Sequence, residues 1–334
     1  MRAFVITGPG RSEVVDVEPP VAGDGEVVVD VERAGVCGTD MEFLGGEMAY
    51  LASGDASYPV RIGHEWSGMV SAVGSGVDPS WLGRRVTGDT MLGCGKCARC
   101  TNGRQHLCAD RYEIGVRRGW PGALAEQLPV PARALFALPG EVDATLGALV
   151  EPGGNALRAV RAAQPAPGRT VLVMGPGTIG LLAAMFARAG GADVHLLGAT
   201  DESLTFARTL GFNHAWTRDE LPSGPYDSII DATNAVSLPA FALDRVEPGG
   251  RVVCIGLAPE PSLVDTRQAV LKDVTVTGIL SASGGLAATI EAYASGAVDP
   301  RPLVAETVGL DQAAEVLAGR RSGTAPKIHI DPRG

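Results

Sequence analysis

Two textures divide the chain. Through about residue 150 the apolar positions fall in short runs and alternations broken by Gly and Pro, as in EVVVDVE (26–32) and GMVSAV (68–73), with no sustained helical period. Such patterning predicts short strands, so this part is expected to be mainly β. From about residue 155 the pattern becomes apolar strand, helix, apolar strand: TVLVMG, TIGLLAAMFARAGG, ADVHLLG, ESLTFARTLG, YDSIIDAT, a helix after Pro239, GRVVCIG and VTVTGIL. Apolar strands alternating with helices imply a parallel sheet covered on both faces. Near Gly284 the alternation stops, and helices around 286–294 and 311–318 followed by KIHI are free to rejoin the first part. The expected division is therefore 1–150 with 285–334 as one domain and 151–284 as the other.

Length supports the division, because 334 residues exceed the usual size of a single core. Apolar residues at 45% and charged residues at 20% place the chain among ordinary globular proteins. A formal net charge of −10 with no basic run argues against nucleic acid or anionic lipid as partners, since both reward clustered Lys and Arg. Lysines are scarce (Lys96, Lys272, Lys327), which by itself supports no functional reading. MRAFVITGPG lacks the apolar segment and cleavage site of a signal peptide, so a cytoplasmic location is expected. The uncharged run 171–187 approaches membrane-spanning length, but Gly-Pro-Gly and a further Gly interrupt it, and strand, turn and buried helix explain it better.

In VLVMGPGTIG, Gly175, Gly177 and Gly180 have G-x-G-x-x-G spacing after a predicted strand and at the start of a helix that includes Thr178 and Ile179. In that context the first glycine permits a tight turn, the second lets backbone N–H groups approach a pyrophosphate, and the third lets helix and strand pack closely. A dinucleotide is the expected ligand. The acidic residue that normally accepts the ribose hydroxyls would fall at the end of ADVHLLG, where this chain has Gly198. Without a carboxylate there, a 2′-phosphate is not repelled, and Thr200, Ser203 and the next helix N-terminus could donate to it. NADP is favoured and NAD remains possible, although no Arg or Lys lies between Arg188 and Arg208.

Cys94, Cys97, Cys100 and Cys108 have the spacing C-x2-C-x2-C-x7-C, which allows four thiolates to converge on one tetrahedral zinc ion. A disulfide framework is disfavoured in a chain with no mark of export. Four sulfur ligands leave no open position, so that ion is expected to brace the loop. Three other segments carry groups that could form an open zinc site: GVCGTD (Cys37, Thr39, Asp40), GHEWSG (His64, Glu65) and VEPGGN (Glu151). Each is ambiguous alone. Cys254, in RVVCIG, reads as buried packing.

With these motifs in this order, the sequence resembles the zinc-dependent medium-chain dehydrogenase/reductase family over essentially its full length. The resemblance implies an α/β protein with a GroES-like β-barrel catalytic domain and a Rossmann domain inserted before its C-terminal tail, assembled as a homodimer or homotetramer. It implies Cys37, His64 and Glu151 as ligands of a catalytic zinc, Glu65 as an exchangeable or outer ligand, and Thr39 as the hydroxyl that relays the substrate proton. Glu151 is similar to the ligand of the polyol, threonine and sugar dehydrogenase branches. Glu42 stands where many members have a relay histidine, so Glu42, bound water and the nicotinamide ribose are all open as the proton's exit, and Gly153-Gly154 replaces a bulkier pair, which is expected to leave room near the metal.

The activity so implied is hydride transfer between a secondary alcohol and NAD(P), with zinc as the Lewis acid that acidifies the alcohol. Two zinc ions per chain are expected, one catalytic and one structural. Polyol, sugar, cyclitol and amino alcohol substrates all remain open. Competing readings are a zinc-free quinone or enoyl reductase of the same fold and a non-catalytic sensor of nicotinamide redox state. The insert 45–58 and the residues around Trp66 and Trp120 are candidates for shaping the substrate pocket, with plain core filling equally expected of the tryptophans.

Overall fold

The computed structural model describes residues 1–320 and 323–334. These form two units, Met1–Glu151 with Leu286–Gly334, and Pro152–Gly285.

The first unit is organised around the strand Glu26–Gly35, which buries Val27, Val28, Val29 and Val31. An apolar run buried on both faces suits a central strand. It pairs antiparallel with Glu65–Val73 along one edge, and with Gln127–Pro131 and then Lys327–Asp331 along the other. Register shifts against Glu65–Val73, between Val28 and Val29 and between Val31 and Arg33, mark bulges that curl the sheet. The sheet has seven strands in the order Val304–Gly309, Lys327–Asp331, Glu26–Gly35, Glu65–Val73, Arg85–Gly88, Leu135–Ala137, with Gln127–Pro131 beside Glu26–Gly35. Its core joins Phe4, Ile6, Phe43, Ile62, Trp66 and Leu128 to Val316, Ile328 and Ile330 of the C-terminal segment. Trp66 is fully buried there, as core filling.

The second unit is a six-stranded parallel sheet in the order Ala215–Trp216, Asp193–Leu197, Thr170–Met174, Tyr226–Asp231, Val246–Cys254, Thr275–Gly278. Ranked by place in the sequence, that is 3-2-1-4-5-6, whose direction reverses between Thr170–Met174 and Tyr226–Asp231; ligands bind at such a reversal, beyond the strand C-termini. Helices Thr178–Ala189, Asp201–Thr209 and Leu238–Arg245 connect successive strands. The last of these has Pro239 in its first turn, where a missing N–H costs nothing. The uncharged run 171–187 is thus a strand and a helix. Among the described residues no helix is long and apolar enough to cross a membrane. Cys254 ends its strand only half-buried, paired on both sides and packed against the core of this unit.

Candidate functional site

Cys37 ends an extended segment and caps the helix Gly38–Gly45. Asp40, three residues on and fully buried, accepts hydrogen bonds from the backbone N–H of Cys37 at 2.9 Å and of Gly63 at 3.3 Å. One carboxylate therefore fixes both the Cys37 turn and the segment that delivers His64, whose Nδ1 lies 3.7 Å from it. Glu65 opens the strand Glu65–Val73. Its Cα partner across the sheet is Gly35, where a Cβ would overlap the Glu65 carboxylate. The Cys37 thiol, one His64 ring nitrogen and one Glu65 oxygen lie within 4.8 Å of one another. Glu151, buried in the first turn of the helix Val150–Ala163, stands outside that close group, yet its charge acts on His64.

Both Glu65 oxygens accept from Lys327 Nζ, at 2.6 and 2.9 Å, and Lys327 donates a third bond to Val36 O at 2.8 Å. The pair is almost wholly buried. Burial alone would strip His64 of its proton, but Cys37, Asp40 and Glu151 outweigh it and hold the imidazole's pKa well above its ordinary value. Burial raises the pKa of Asp40 against the pull of His64. A thiol and three carboxyls thus crowd one imidazole and one ammonium away from water. Sulfur, imidazole and carboxylate in such an excess of negative character fit a divalent ion of zinc type.

Thr39 and Glu42 lie three apart on the helix Gly38–Gly45 and so project from neighbouring positions. Both are half-buried, and burial followed by the nearby Glu47 raises the Glu42 carboxyl. Neither belongs to the close group. The room expected at Gly154 is taken up by packing, since a Cβ there would press on Ala282 and Gly285 already abuts it. Trp120 is tied to Pro129 O by its indole N–H at 3.0 Å.

The four remaining motif cysteines surround the short helix Ala98–Thr101 and the turn Gln105–Leu107. Their sulfurs stand 3.6 Å (Cys97 to Cys100), 3.8 Å (Cys97 to Cys108) and 4.0 Å (Cys94 to Cys100) apart. A tetrahedron with metal–sulfur bonds of about 2.3 Å has edges of about 3.8 Å, whereas a disulfide needs about 2.05 Å. The spacing fits a shared ion, and all four cysteines are free. Backbone N–H groups of Lys96 and Cys97 lower the Cys94 thiol to about 6, while burial pushes Cys100 up to about 12.

In the second unit the three glycines answer three separate demands. Gly175 has φ +92°, in the region that favours glycine; Gly177 faces open space; a Cβ on Gly180 would overlap Gly175 O. Gly177 caps the helix Thr178–Ala189 with no side-chain hydrogen bond, which leaves N–H donors for an anion. At Gly198 any side chain would press on Leu204 and Ser203. Thr200 caps the next helix by accepting from Ser203 N–H at 3.2 Å, and the Ser203 hydroxyl donates to Thr200 O at 2.6 Å. The Thr200 hydroxyl proton is therefore spare, and that of Ser203 is engaged.

Residues 23–140 match the family described as alcohol dehydrogenase GroES-like domain, and residues 178–295 match that described as zinc-binding dehydrogenase. A relative from Saccharopolyspora erythraea, named L-threonine 3-dehydrogenase, is 31% identical over 349 residues, covering 99% of each chain. The chain belongs to the zinc-dependent medium-chain dehydrogenase/reductase family. Two similar solved structures each cover 99% of both chains: an E. coli CFT073 protein described as a short chain alcohol dehydrogenase complexed with cofactor NADH (TM-score 0.91, 27% identity), and a Sinorhizobium meliloti 1021 putative zinc-binding dehydrogenase bound to NADP (TM-score 0.89, 28% identity).

For a medium-chain dehydrogenase/reductase of this sequence, the motifs named Asp40 only as a candidate zinc-site group and left Lys327 out; the structure makes both of them positioning groups at the Cys37 site. Asp40 is signalled by its place three residues after a helix-capping Cys37, the spacing of a reciprocal cap. Lys327 is signalled by a lysine opening the strand KIHI, whose two isoleucines alternate with the charged and polar positions.

Lys327→Met strands a buried carboxylate and is expected to cost about 3–5 kcal/mol in urea unfolding. Adding Glu65→Gln should restore most of that loss, whereas purely additive losses would rule out the coupling. Chelation of the four-cysteine lobe, or Cys100→Ser, should lower the thermal midpoint and remove one zinc per chain by elemental analysis. Zinc added back should rescue the chelated protein and not the variant.

Proposed function

We propose that the chain is an NAD(P)-dependent dehydrogenase that moves a hydride between a secondary alcohol of polyol, sugar or cyclitol type and the nicotinamide, interconverting alcohol and ketone. The observation that carries this reading is the convergence of a half-buried Cys37 with buried His64 and Glu65, with Glu151 acting on the imidazole. The name of the Saccharopolyspora relative puts its own reaction at carbon 3 of threonine, which is a secondary alcohol. Bound zinc supplies Lewis acidity that favours loss of the alcohol proton near neutral pH.

In this reading Cys37, His64 and Glu151 hold the ion. Glu65, bound through both oxygens by Lys327, serves as the outer or exchangeable ligand. Thr39 receives the substrate's hydroxyl proton, and Glu42, whose raised carboxyl lies one helical step away, passes it outward. The uncapped helix end at Gly177 and Thr178, with Ile179 and the glycines on either side, holds the pyrophosphate. The Cys94, Cys97, Cys100 and Cys108 lobe holds a second, structural zinc.

NADP is favoured over NAD. Gly198 offers no carboxylate, Thr200 has a spare hydroxyl proton, and the cation missing from the local sequence is available as Arg218. Gly198 N–H donates to Trp216 O on the adjacent strand at 3.0 Å, and Arg218 follows two residues later, its guanidinium over the Phe241 ring. A reducing, cytoplasmic compartment suits a chain whose six cysteines are all free. A homodimer or homotetramer is supported by the edge strand Thr275–Gly278 with its exposed Val276, and by the exposed Leu263, Val270 and Leu271 in the segment that leads to it.

His64→Ala should reduce turnover of polyols and sugars on the order of 10³-fold, the scale of the several kcal/mol that Lewis acidity contributes, while NADPH fluorescence titration shows cofactor binding retained. Full turnover in a metal-free preparation would refute the proposal. Sedimentation velocity should give a dimer or tetramer at micromolar concentration, and a monomer there would rule out the assembly.

A further inference from the structure

The edge of the nucleotide-binding sheet carries a second kind of cluster, part of it on the strand Asp193–Leu197 that leads to Gly198. Asp193 and His195 alternate along one strand and so face the same way. His214 immediately precedes the neighbouring strand Ala215–Trp216, where Leu196 N–H donates to His214 O at 2.8 Å. The Asp193 carboxylate reaches both imidazoles, His214 Nδ1 at 3.1 Å and His195 Nε2 at 3.7 Å, and the two rings stand 4.5 Å apart.

We propose that Asp193, His195 and His214 form a third metal site, one that takes a divalent transition ion such as Ni²⁺ or Zn²⁺ at the rim of the sheet. One ligand atom from each residue lies within 4.8 Å of the other two. Two imidazoles and one carboxylate are the donors such ions prefer, and solvent supplies the remaining positions on the side where Asp193 and His214 are exposed and His195 is partly so. Of the five histidines in the chain, His64, His106 and His329 are buried, so these two are the pair an ion can reach from solvent. The backbone already holds the donors together: ladder pairing of Leu196 with Ala215 and Leu197 with Trp216 fixes one strand against the other.

Trp216 reports on occupancy. Its indole N–H donates to His195 Nδ1 at 3.3 Å, which leaves the ring proton on Nε2. An ion bound at Nε2 moves that proton to Nδ1 and ends the indole contact, a small loss because the bond is long. The ion would tie the two-residue strand Ala215–Trp216 to its neighbour. It would sit two residues back from the strand end that leads to Gly198, so its effect falls on stability rather than turnover.

The test uses the full-length protein already loaded with zinc. Ni²⁺ is titrated in by calorimetry, bound nickel and zinc are counted after dialysis, and tryptophan fluorescence and the thermal midpoint are followed. The expected result is one Ni²⁺ per chain in the micromolar range, with zinc content unchanged and a raised thermal midpoint. His214→Ala and Asp193→Asn should weaken binding at least tenfold and abolish the midpoint shift. Trp216→Phe should bind Ni²⁺ yet lose the fluorescence change. The proposal fails if the wild type takes up no nickel, if nickel enters only as zinc leaves, or if His214→Ala binds it as tightly as the wild type does.

Discussion

Everything at the Cys37 site depends on a carboxylate that water does not reach. Asp40 accepts one hydrogen bond from the turn that presents Cys37 and another from the segment that presents His64. Hydrogen bonds to a charged acceptor contribute about 1.5–3 kcal/mol each when both partners are in place, and a buried acceptor left alone costs as much or more. Two stretches of chain more than twenty residues apart are thereby held to one geometry. The helix Gly38–Gly45 adds its own constraint, since Asp40 is also the reciprocal cap for Cys37. A sulfur ligand and a nitrogen ligand can share an ion only if neither segment is free to drift, and backbone pairing alone does not reach the Cys37 turn.

The same site shows how a protein keeps several ionisable groups out of water. The Glu65 carboxylate is satisfied by Lys327, and Gly35 leaves it the space that a side chain would take. Glu151 acts on His64 from the start of a different helix. The four-cysteine lobe handles negative character differently: its sulfurs stand at the spacing of a tetrahedron's corners, and among the described residues no Lys or Arg side chain is hydrogen-bonded to them. The first site keeps a cation of its own beside the ligands, and the second relies on the ion alone.

Much of this was readable in the sequence because the signals are local. The parallel sheet announced itself through apolar runs between helices, and the G-x-G-x-x-G loop through its position between strand and helix. Cys37, His64, Glu65 and the four-cysteine lobe each sit in a short motif. What could not be read were the meetings of distant residues: Lys327 with Glu65, Asp40 with Gly63, Trp216 with Gly198, and Ala282 against Gly154. Each arises from strand pairing or turn packing, and no spacing rule encodes either. Trp66 was ambiguous because an indole that fills a core and one that lines a pocket look alike in sequence. Glu151 is the instructive case, for its motif was clear while its distance from the Cys37 group is set by the helix that carries it.

The strand bearing Lys327 lies beyond the whole nucleotide-binding unit in chain order, yet it pairs with Gly35 and Ala34 in the first unit. A ribosome therefore releases Glu65 long before its counter-ion exists. The nascent chain must carry that uncompensated acid, hydrated and unsealed, while all of Pro152–Gly285 is made. The nucleotide-binding unit has every one of its strands in hand first, and the ion-binding unit is finished last, by its final strand.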